Sequence, residues 1–359
     1  MPVAAGAAIE TVALTKRFRH QRSLGSLLRG GGGSETLALG GVSLTVPVGE
    51  VCVLIGPNGA GKTTFMKILG TLLLPTSGTA RVFGHDVVAE SQAVRRAIGM
   101  AIADERSFYW RLTGRQNLEF FAALYGLPAR QSAARAAELL ELFNLTPMGD
   151  RRFNEYSTGM RQKLAIARGM LCRPRLLFMD EPTKGLDPVS VRSLLDFIRG
   201  EIVGAHGTTI LFSTHILSEA EQVGDRIAIL KRGTVIACGT AAELKLDAAD
   251  FDKYLLRIGG IAELALRRIC RRVALPAGPE VVPGEGAVQI EVRLRKGGAE
   301  LAELLAAIVQ ENGRILACER GVTTLEESFH HLVRDAGSAA RPAGGAAELS
   351  DRPAGAVGG

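Results

Sequence analysis

The sequence has 359 residues, of which 47% are hydrophobic and 22% charged, and its formal net charge is +6. These values are normal for a globular protein with a sizeable core, and no apolar run approaches the roughly 20 residues that a membrane-spanning helix requires. Five scattered cysteines without a C-x-x-C pair favour reduced thiols over a disulfide framework, and the positive charge suits nucleotides, anionic membranes or nucleic acid without selecting one.

In chain order, the first residues lack the charged and apolar regions of a signal peptide, and SLLRGGGGSE at 26–35 predicts a mobile loop. Short apolar runs followed by turn residues then predict buried strands at 51–56, 175–180 and 208–214. The segment 226–239 predicts a hairpin that turns at Arg232 and Gly233. Strands separated by helices favour an α/β layer fold with a mostly parallel sheet.

Helix formers with helical spacing at 129–145 predict a helix within a helix-rich stretch, about 94–171, that we interpret as a helical subdomain. The composition changes near Leu246, so we expect a first domain over 1–246 and a small α+β domain over 247–335. Its predicted strands are 253–259, 288–294 and 314–320, and its predicted helices are 261–270, 299–310 and 324–335. Residues 336–359 are rich in Ala, Gly and Pro and predict a disordered tail.

The segment GPNGAGKT at 56–63 matches G-x-x-x-x-G-K-[ST] and stands between a predicted strand and a predicted helix. Glycines let such a loop wrap closely round phosphates, while its N–H groups and the helix N-terminus attract anionic oxygens. We expect Lys62 to reach the β- and γ-phosphates of ATP and the Thr63 hydroxyl to bind Mg²⁺. The predicted ATP-binding residues here are Gly56, Pro57, Asn58, Gly59, Ala60, Gly61, Lys62, Thr63 and Thr64.

The segment LLFMDEPT at 176–183 ends a buried strand in two carboxylates. Asp180 is expected beside the loop at 56–63, where it can hold Mg²⁺ directly or through water. Glu181 follows at the turn, where it can orient and deprotonate an attacking water. The predicted catalytic residues are Lys62, Glu181 and His215. The role of His215 follows from a motif described in the next paragraph.

Three further segments resemble motifs of the ATP-binding cassette ATPases. YSTGMRQKLAIARGML at 156–171 resembles the signature segment, and KGLDPVS at 184–190 resembles the D-loop, which implies a role for Asp187. LFSTHILSEAE at 211–221 resembles the switch-histidine segment, which implies that His215 contacts the γ-phosphate. The resemblance covers about residues 9–246, with five motifs in the family's order. It implies a P-loop cassette with a mostly parallel core sheet, an antiparallel β portion and a helical subdomain.

In this family the signature residues serve the ATP of the opposite subunit, which here implies Ser157, Thr158, Gly159 and Met160. Ser157 and Gly159 open a helix whose N-terminal N–H groups can bind phosphate. Thr158 and Met160 stand where the usual motif has Gly and Gln, although Gln162 lies two residues on. We interpret this as variation that leaves the anion-binding serine and glycine intact.

Two positions of the family have alternative interpretations in this sequence. The aromatic residue that usually contacts adenine is expected at Phe18 in LTKRF, and the alternative is a partly buried strand residue. The glutamine that usually senses Mg²⁺ and water is absent, and counting from either side places Ala103 or Asp104 there. Our hypothesis is that Asp104, or alternatively Glu105, makes the metal or water contact; the alternative is that both acids solvate a loop.

Three aromatic residues follow at 108–110. Because aromatics are enriched at interface centres, we predict that Phe108, Tyr109 and Trp110 form a docking surface for a permease. The alternative is that they pack within the helical subdomain.

A single cassette cannot complete the sandwich of two nucleotides, so the resemblance implies dimerisation with a second copy or a close relative. TLEESFHHLV at 324–333 resembles a segment that ends many exporter ATPases of the drug, antibiotic and polysaccharide class. We therefore expect an ATP-hydrolysing subunit that powers export through a separate integral membrane permease, on the cytoplasmic side of the cell membrane. The alternatives are an importer subunit and a cassette acting on nucleic acid or the ribosome. We expect no nucleic-acid partner, because those relatives usually carry two cassettes or long coiled coils.

Overall fold

The structure is a computed structural model that describes residues 6–19, 35–102, 107–247, 251–273, 280–284, 287–295 and 300–321, with Glu326 and Phe329. Four predictions fall wholly or mostly outside the described residues. They are the loop at 26–35, of which only Glu35 is described and begins a strand, the roles of Asp104 and Glu105, the helix at 324–335 and the tail at 336–359. No helix of the described part is long and apolar enough to cross a membrane.

A six-stranded sheet lies at the centre, in the order β10-β9-β3-β8-β7-β6. Its strands are β3 (Val51–Ile55), β6 (Ile98–Ile102), β7 (Leu176–Asp180), β8 (Thr209–Thr214), β9 (Arg226–Lys231) and β10 (Thr234–Gly239). All neighbours run parallel except β9 and β10, which are antiparallel. The mostly parallel sheet and its three predicted buried strands are therefore confirmed, and their near-continuous apolar runs match burial on both faces.

The hairpin of β9 and β10 turns where the sequence predicts. Arg232 and Gly233 have φ values of 47° and 80°, and positive φ at both central residues is the requirement of a type I′ turn. Strand β6 was not predicted, because its five residues lie inside the stretch whose pattern is helical.

A second, antiparallel sheet has the order β2-β1-β4-β5. It consists of β1 (Ala7–Arg19), β2 (Glu35–Pro47), β4 (Ser77–Val82) and β5 (His85–Asp86). Its apolar side chains share a core with Cys52 and Leu54 of β3 and with helix α1 (Lys62–Leu69). Val51, Val53 and Ile55 belong to the core on the opposite face, since successive strand residues point to opposite sides.

The remaining helices of the first part of the chain contribute to the core on the other face of the central sheet, except the helix at 91–97, whose buried Val94 belongs to the core shared with the antiparallel sheet. The remaining helices are α2 (Ser91–Ala97), α3 (Gly114–Leu124), α4 (Ala129–Leu142), α5 (Thr158–Gly169), α6 (Pro188–Phe197), α7 (Leu217–Val223) and α8 (Ala241–Asp247). Helix α6 continues as a π-helix over Ile198–Ala205. Helix α4 ends three residues before the predicted 145, because Asn144 adopts a left-handed conformation with φ 55° that ends the helix.

The C-terminal part has the order strand, helix, strand, strand, helix, strand. Its elements are β11 (Phe251–Gly259), α9 (Glu263–Arg272), β12 (Glu280–Gly284), β13 (Ala287–Arg295), α10 (Glu300–Gln310) and β14 (Arg314–Gly321). The sheet order β12-β13-β11-β14 with antiparallel pairing is that of a ferredoxin-like unit. Both helices pack on one face of the sheet through a separate apolar core. The three strands and two helices predicted up to residue 321 are confirmed, and β12 is an addition.

Candidate nucleotide-binding site

The glycine-rich loop at 56–61 connects β3 to α1, as the motif requires. Gly59 and Gly61 have φ values of 79° and 110°, in the region that favours glycine. A Cβ atom on Gly61 would also lie only 2.6 Å from the carbonyl oxygen of Ala38. The predicted strand, loop and helix are therefore confirmed, and the loop depends on its glycines both for conformation and for space.

Lys62 places a buried cation at the start of α1. Its side chain is only 6% exposed, and Nζ donates to the carbonyl oxygens of Gly56 at 2.6 Å and Pro57 at 3.3 Å. Burial lowers the pKa of Lys62, while the carboxylates of Glu181 and Asp180 oppose that shift. Within the described residues no carboxylate comes within ion-pair distance of this ammonium, so the loop presents a desolvated positive charge that suits an anionic ligand.

Thr63 and Asp180 provide neighbouring oxygen atoms at the edge of the loop. Thr63 Oγ1 donates to Asp180 Oδ2 at 2.9 Å, and Ser213 Oγ donates to Asp180 Oδ1 at 2.5 Å. A hydroxyl and a carboxylate are the ligand types that Mg²⁺ prefers, and Mg²⁺ usually takes its remaining ligands from water and substrate phosphates. This donor set fits Mg²⁺. The described residues contain no cluster of three or more His, Cys, Asp or Glu side chains.

Glu181 lies directly after β7 in a left-handed conformation with φ 47°. Its N–H donates to the carbonyl oxygen of Ser213 at 3.2 Å, which holds the turn against β8. Its Oε1 lies 3.3 Å from His215 Nδ1, and its Oε2 lies 3.9 Å from Lys184 Nζ. The structure thus brings Glu181 and His215 together, as the motifs indicate. The Lys184 contact was not predicted, because residues 181–184 form a turn, where a spacing of three residues does not by itself indicate a side-chain pair.

A cavity of about 310 Å³ opens over the loop. It is lined by Phe18, Thr36, Leu37, Ala38, Asn58, Gly59, Ala60, Gly61, Lys62, Thr63, Thr64 and Glu181. Phe18 is a strand residue that is 38% exposed, and Lys16 Nζ lies 5.2 Å from its ring centroid. Residues 36–38 were missed by the sequence analysis, because only the pairing of Phe18 with Thr36 across β1 and β2 brings them here.

The signature residues open helix α5, and Ser157 is its N-cap. Ser157 Oγ accepts a hydrogen bond from the N–H of Met160 at 3.3 Å. Gln162 is buried and donates to the carbonyl oxygen of Lys184 at 3.2 Å, so it supports the turn after β7 instead of pointing outward. A second cavity, of about 340 Å³, is lined by Ser157, Gly159, Met160, Lys163, Leu186, Val189, Ser190, Ser193 and Leu194. It shares no lining residue with the cavity over the glycine-rich loop.

Asp187 caps helix α6. Its Oδ1 accepts from the N–H groups of Val189 and Ser190, each at 3.0 Å, and its Oδ2 accepts from Ser190 Oγ at 2.5 Å. The hydroxyl and N–H of Ser190, followed by the N–H of Val189, hold the pKa of Asp187 below its ordinary value. A structural role for Asp187 is therefore visible beside the D-loop role that its motif implies.

The predicted docking surface is wrong for Phe108. This side chain is 5% exposed and stacks on Phe153 with ring centroids 4.6 Å apart, so it packs within the helical subdomain. Tyr109 and Trp110 are 51% and 44% exposed, and their docking role stays a prediction. The proposed contact of Asp104, or Glu105, with metal or water lies outside the described residues and also stays a prediction.

Comparison with known proteins agrees with this geometry. A family model described as ABC transporter matches residues 39–184. The chain is 47% identical over 307 residues to the daunorubicin resistance ATP-binding protein DrrA3 of Streptomyces coeruleorubidus, which covers 83% of this chain and 92% of that protein. It is 48% identical over 214 residues to the daunorubicin/doxorubicin resistance ATP-binding protein DrrA of Streptomyces peucetius, which covers 58% of this chain and 63% of that protein.

Among solved structures, the dimeric structure of MJ0796, a bacterial ABC transporter cassette, covers 65% of this chain and 98% of that chain. Its sequence identity is 25% and its TM-score 0.55. The first part of the chain therefore shares its fold with cassettes that have been seen as dimers.

Proposed function

This chain belongs to the ATP-binding proteins of the ABC transporter family, and we propose that it hydrolyses ATP to power drug export through a separate membrane permease. The observation that carries the proposal is the buried Lys62 ammonium, held by loop carbonyls at a helix N-terminus and facing Asp180 and Glu181. The drug class rests on the resistance proteins DrrA3 and DrrA, to which the chain is similar.

In this proposal the loop at 56–64 binds the phosphates, and Phe18 contacts the adenine. The N–H groups at the start of α1 and the Lys62 ammonium stabilise the negative charge of the β- and γ-phosphates. Thr63 and Asp180 would hold Mg²⁺, which neutralises phosphate charge when bound. The Lys16 ammonium near the Phe18 ring leaves the remaining ring surface for a base.

Glu181 then acts as the general base. Its carboxylate orients a water molecule, accepts a proton from it as the water oxygen attacks the γ-phosphorus, and ADP leaves with the bridging oxygen. His215, 3.3 Å from Glu181 Oε1, contacts the γ-phosphate and limits where the carboxylate can lie. General-base assistance of this kind is typically worth about 10²–10⁴-fold in rate.

We further propose that two cassettes, identical or closely related, sandwich two ATP molecules. The separation of the glycine-rich loop cavity from the signature cavity supports this arrangement, because one chain then offers two incomplete halves. The N-terminus of α5 at Ser157 and Gly159 would bind the phosphate held by the other subunit. The dimeric bacterial cassette of the same fold supports the same assembly.

The permease would dock at the exposed aromatics Tyr109 and Trp110, on the cytoplasmic side of the cell membrane. Phe120 extends this surface, since it is 40% exposed and its ring centroid lies 4.7 Å from that of Tyr109. Exposed aromatic clusters of this kind are typical of interface centres.

Inverted membrane vesicles test the direction of transport. Vesicles that contain the full chain and the permease with which it co-purifies should take up daunorubicin when ATP is added outside, and the same vesicles with the Glu181→Gln chain should not. Uptake only in right-side-out vesicles loaded with ATP would indicate an importer. ATPase activity stimulated by RNA or DNA, without a membrane partner, would overturn the transport proposal.

A further inference from the structure

Helix α5 connects the signature segment to the aromatic residues of the proposed docking side through two arginines. Arg161 and Arg168 are seven residues apart, close to two helical turns, so they lie on the same face of the helix. Ser157 caps the N-terminus of the same helix and lines the signature cavity. A movement of the signature segment therefore carries both arginines with it, because a helix is stiff along its axis.

Arg161 contacts the exposed end of the aromatic segment, which we define as residues 107–110. Its guanidinium carbon lies 5.0 Å from the Trp110 ring centroid and 5.6 Å from that of Phe153. Its Nη2 donates to the carbonyl oxygen of Asn154 at 3.2 Å, which orients the guanidinium. These distances are within the range of cation–π attraction, so the charge of Arg161 acts directly on the indole of Trp110.

Arg168 contacts the buried end of the same segment. It is 7% exposed, and its guanidinium carbon lies 4.4 Å from the Phe108 ring centroid and 4.9 Å from that of Phe121. Its Nη1 donates to Ser107 Oγ at 2.7 Å and to the Ser107 carbonyl oxygen at 3.3 Å. A buried guanidinium with directional hydrogen bonds holds its neighbours more rigidly than apolar packing does.

Asn117 links the aromatic segment to the start of α3 through hydrogen bonds to the backbone. This residue of α3 is fully buried, and its Oδ1 accepts from the N–H of Tyr109 at 2.9 Å. Its Nδ2 donates to the carbonyl oxygens of Tyr109 at 3.1 Å and Thr113 at 3.0 Å. A force applied at Ser107 or Trp110 is thus shared by the whole segment.

We propose that Arg161 and Arg168 are positioning residues that transmit the binding of ATP at the signature segment to the aromatic segment, and so to the permease; this inference rests on the function proposed above. The contacts of the two arginines join both ends of the segment to the helix that begins at the signature. Packing alone would stabilise the subdomain but would not make the surroundings of Trp110 depend on nucleotide.

Trp110 is the single tryptophan of the chain, so intrinsic fluorescence reports on the proposed link directly. The experiment uses the full chain with Glu181→Gln, to which ATP and Mg²⁺ are added, while dimerisation is followed by size exclusion in the same samples. The indole emission should shift when the dimer forms. Adding Arg161→Ala should abolish the shift, although ATP binding and dimerisation persist.

Three further variants separate transmission from folding. Arg161 is only half-buried, so Arg161→Ala is expected to fold, and Arg161→Lys should restore part of the shift because it keeps the cation. Arg168→Lys keeps the charge of the buried site but loses the planar guanidinium whose Nη1 donates to Ser107 and whose carbon lies over the Phe108 and Phe121 rings, so it should reduce the shift. Arg173→Ala is the matched control: it removes an exposed arginine that pairs with Glu138, and the shift should remain.

The assembled transporter gives a second measurement. There Arg161→Ala should lower the permease-stimulated kcat while the KM for ATP stays unchanged, because the loss affects coupling and not nucleotide binding. An Arg161→Ala chain that dimerises with an unaltered emission shift would overturn the inference and leave the proposed function intact. A Glu181→Gln chain that binds ATP but stays monomeric would contradict the proposed function, and the inference would fall with it.

Discussion

Thr63 Oγ1 and Asp180 Oδ2 are hydrogen-bonded at 2.9 Å, although the two residues lie at the ends of different elements, α1 and β7. The bond brings the Thr63 hydroxyl and the Asp180 carboxylate next to each other. These are the two oxygen atoms that would bind Mg²⁺ in the proposed reaction. We therefore expect that replacing either residue changes the Mg²⁺ concentration that the ATPase requires while the protein still folds.

Asp180→Asn should raise the Mg²⁺ concentration needed for half-maximal ATPase activity. Replacing groups that only orient a metal ligand costs about 10- to 100-fold in affinity, so removing the charge of a ligand should cost at least about tenfold. A Mg²⁺ titration of ATPase activity measures this effect. Asp196→Asn is the control, because Asp196 is an exposed carboxylate that accepts a hydrogen bond from Gln222 and lies outside the site. An unchanged titration for Asp180→Asn would remove Asp180 from the metal site.

Lys62→Ala should weaken ATP binding by at least about tenfold, because hydrogen bonds to charged groups contribute about 1.5–3 kcal/mol. The effect should be large because Lys62 is desolvated and already oriented by the carbonyl oxygens of Gly56 and Pro57. Equilibrium titration with ATP measures the change.

Lys67→Ala offers a matched control for the Lys62 variant. Lys67 lies on the same helix but is exposed, so its removal changes the net charge equally without entering the cavity. Tight ATP binding by Lys62→Ala would contradict the assignment of the loop as the phosphate-binding element.

Glu181→Gln should stop hydrolysis while ATP binding persists, because the amide keeps the shape of the side chain but cannot accept the proton. The expected loss in kcat is about 10²–10⁴-fold, and ATP should now hold a stable dimer that elutes earlier in size exclusion. Glu201→Gln, at an exposed carboxylate of the π-helix, should leave kcat unchanged. Hydrolysis by Glu181→Gln at a rate near that of the parent chain would show that another group is the base.

The parts of this site that lie close together in the chain were predictable from sequence. Each part stands at the end of a strand whose short apolar run is easily recognised. The loop at 56–63 follows β3, Asp180 ends β7 with Glu181 next to it, and His215 follows β8. Lys184, residues 36–38 and the inward-facing Gln162 were not predicted, because their positions depend on how separate strands and turns pack together. The predicted docking role of Phe108 was wrong for the same reason. Its burial depends on contacts with Phe121 and Phe153, which come together only in the folded subdomain.

The same limit applies to the fold. The central strands β3, β7 and β8 carry continuous apolar runs and were predicted within about one residue. The five-residue strand β6 is interrupted by Gly99 and surrounded by helical patterns, so pairing with β7 and not local sequence determines it. The ferredoxin-like order of the C-terminal sheet was not accessible either, since sequence periodicity carries no information about which strands are neighbours.

Two substitutions can separate the helix-cap role of Asp187 from the D-loop role that its motif implies. Asp187→Asn should preserve the helix cap, because asparagine caps helices about as well as aspartate, whereas Asp187→Ala should lower the thermal midpoint. If Asp187 also acts in the dimer through its charge, both variants should lose ATPase activity. Activity retained by Asp187→Asn and lost by Asp187→Ala would assign the residue to the cap alone.

The acid stability of the chain should also change with Asp187. Since its pKa is lowered in the folded protein, its stabilising effect is present above the pKa of the unfolded side chain and is lost as the pH falls through the lower folded value. Asp187→Asn should therefore reduce the slope of stability against pH in the acidic range. Thermal unfolding between neutral and acidic pH measures this slope.

Phe108 and Tyr109 are adjacent, but replacing the first should affect stability and replacing the second should affect permease binding. Phe108→Ala should lower the free energy of unfolding by about 3–5 kcal/mol, because it empties a site packed by Phe121, Phe153 and Arg168. Tyr109→Ser should leave stability nearly unchanged, since half of this side chain is exposed, but it should reduce the amount of permease that co-purifies. Leu264→Ser, at a residue of α9 that is 70% exposed, is the control for loss of an exposed apolar side chain. Full permease recovery with Tyr109→Ser would show that the permease docks elsewhere.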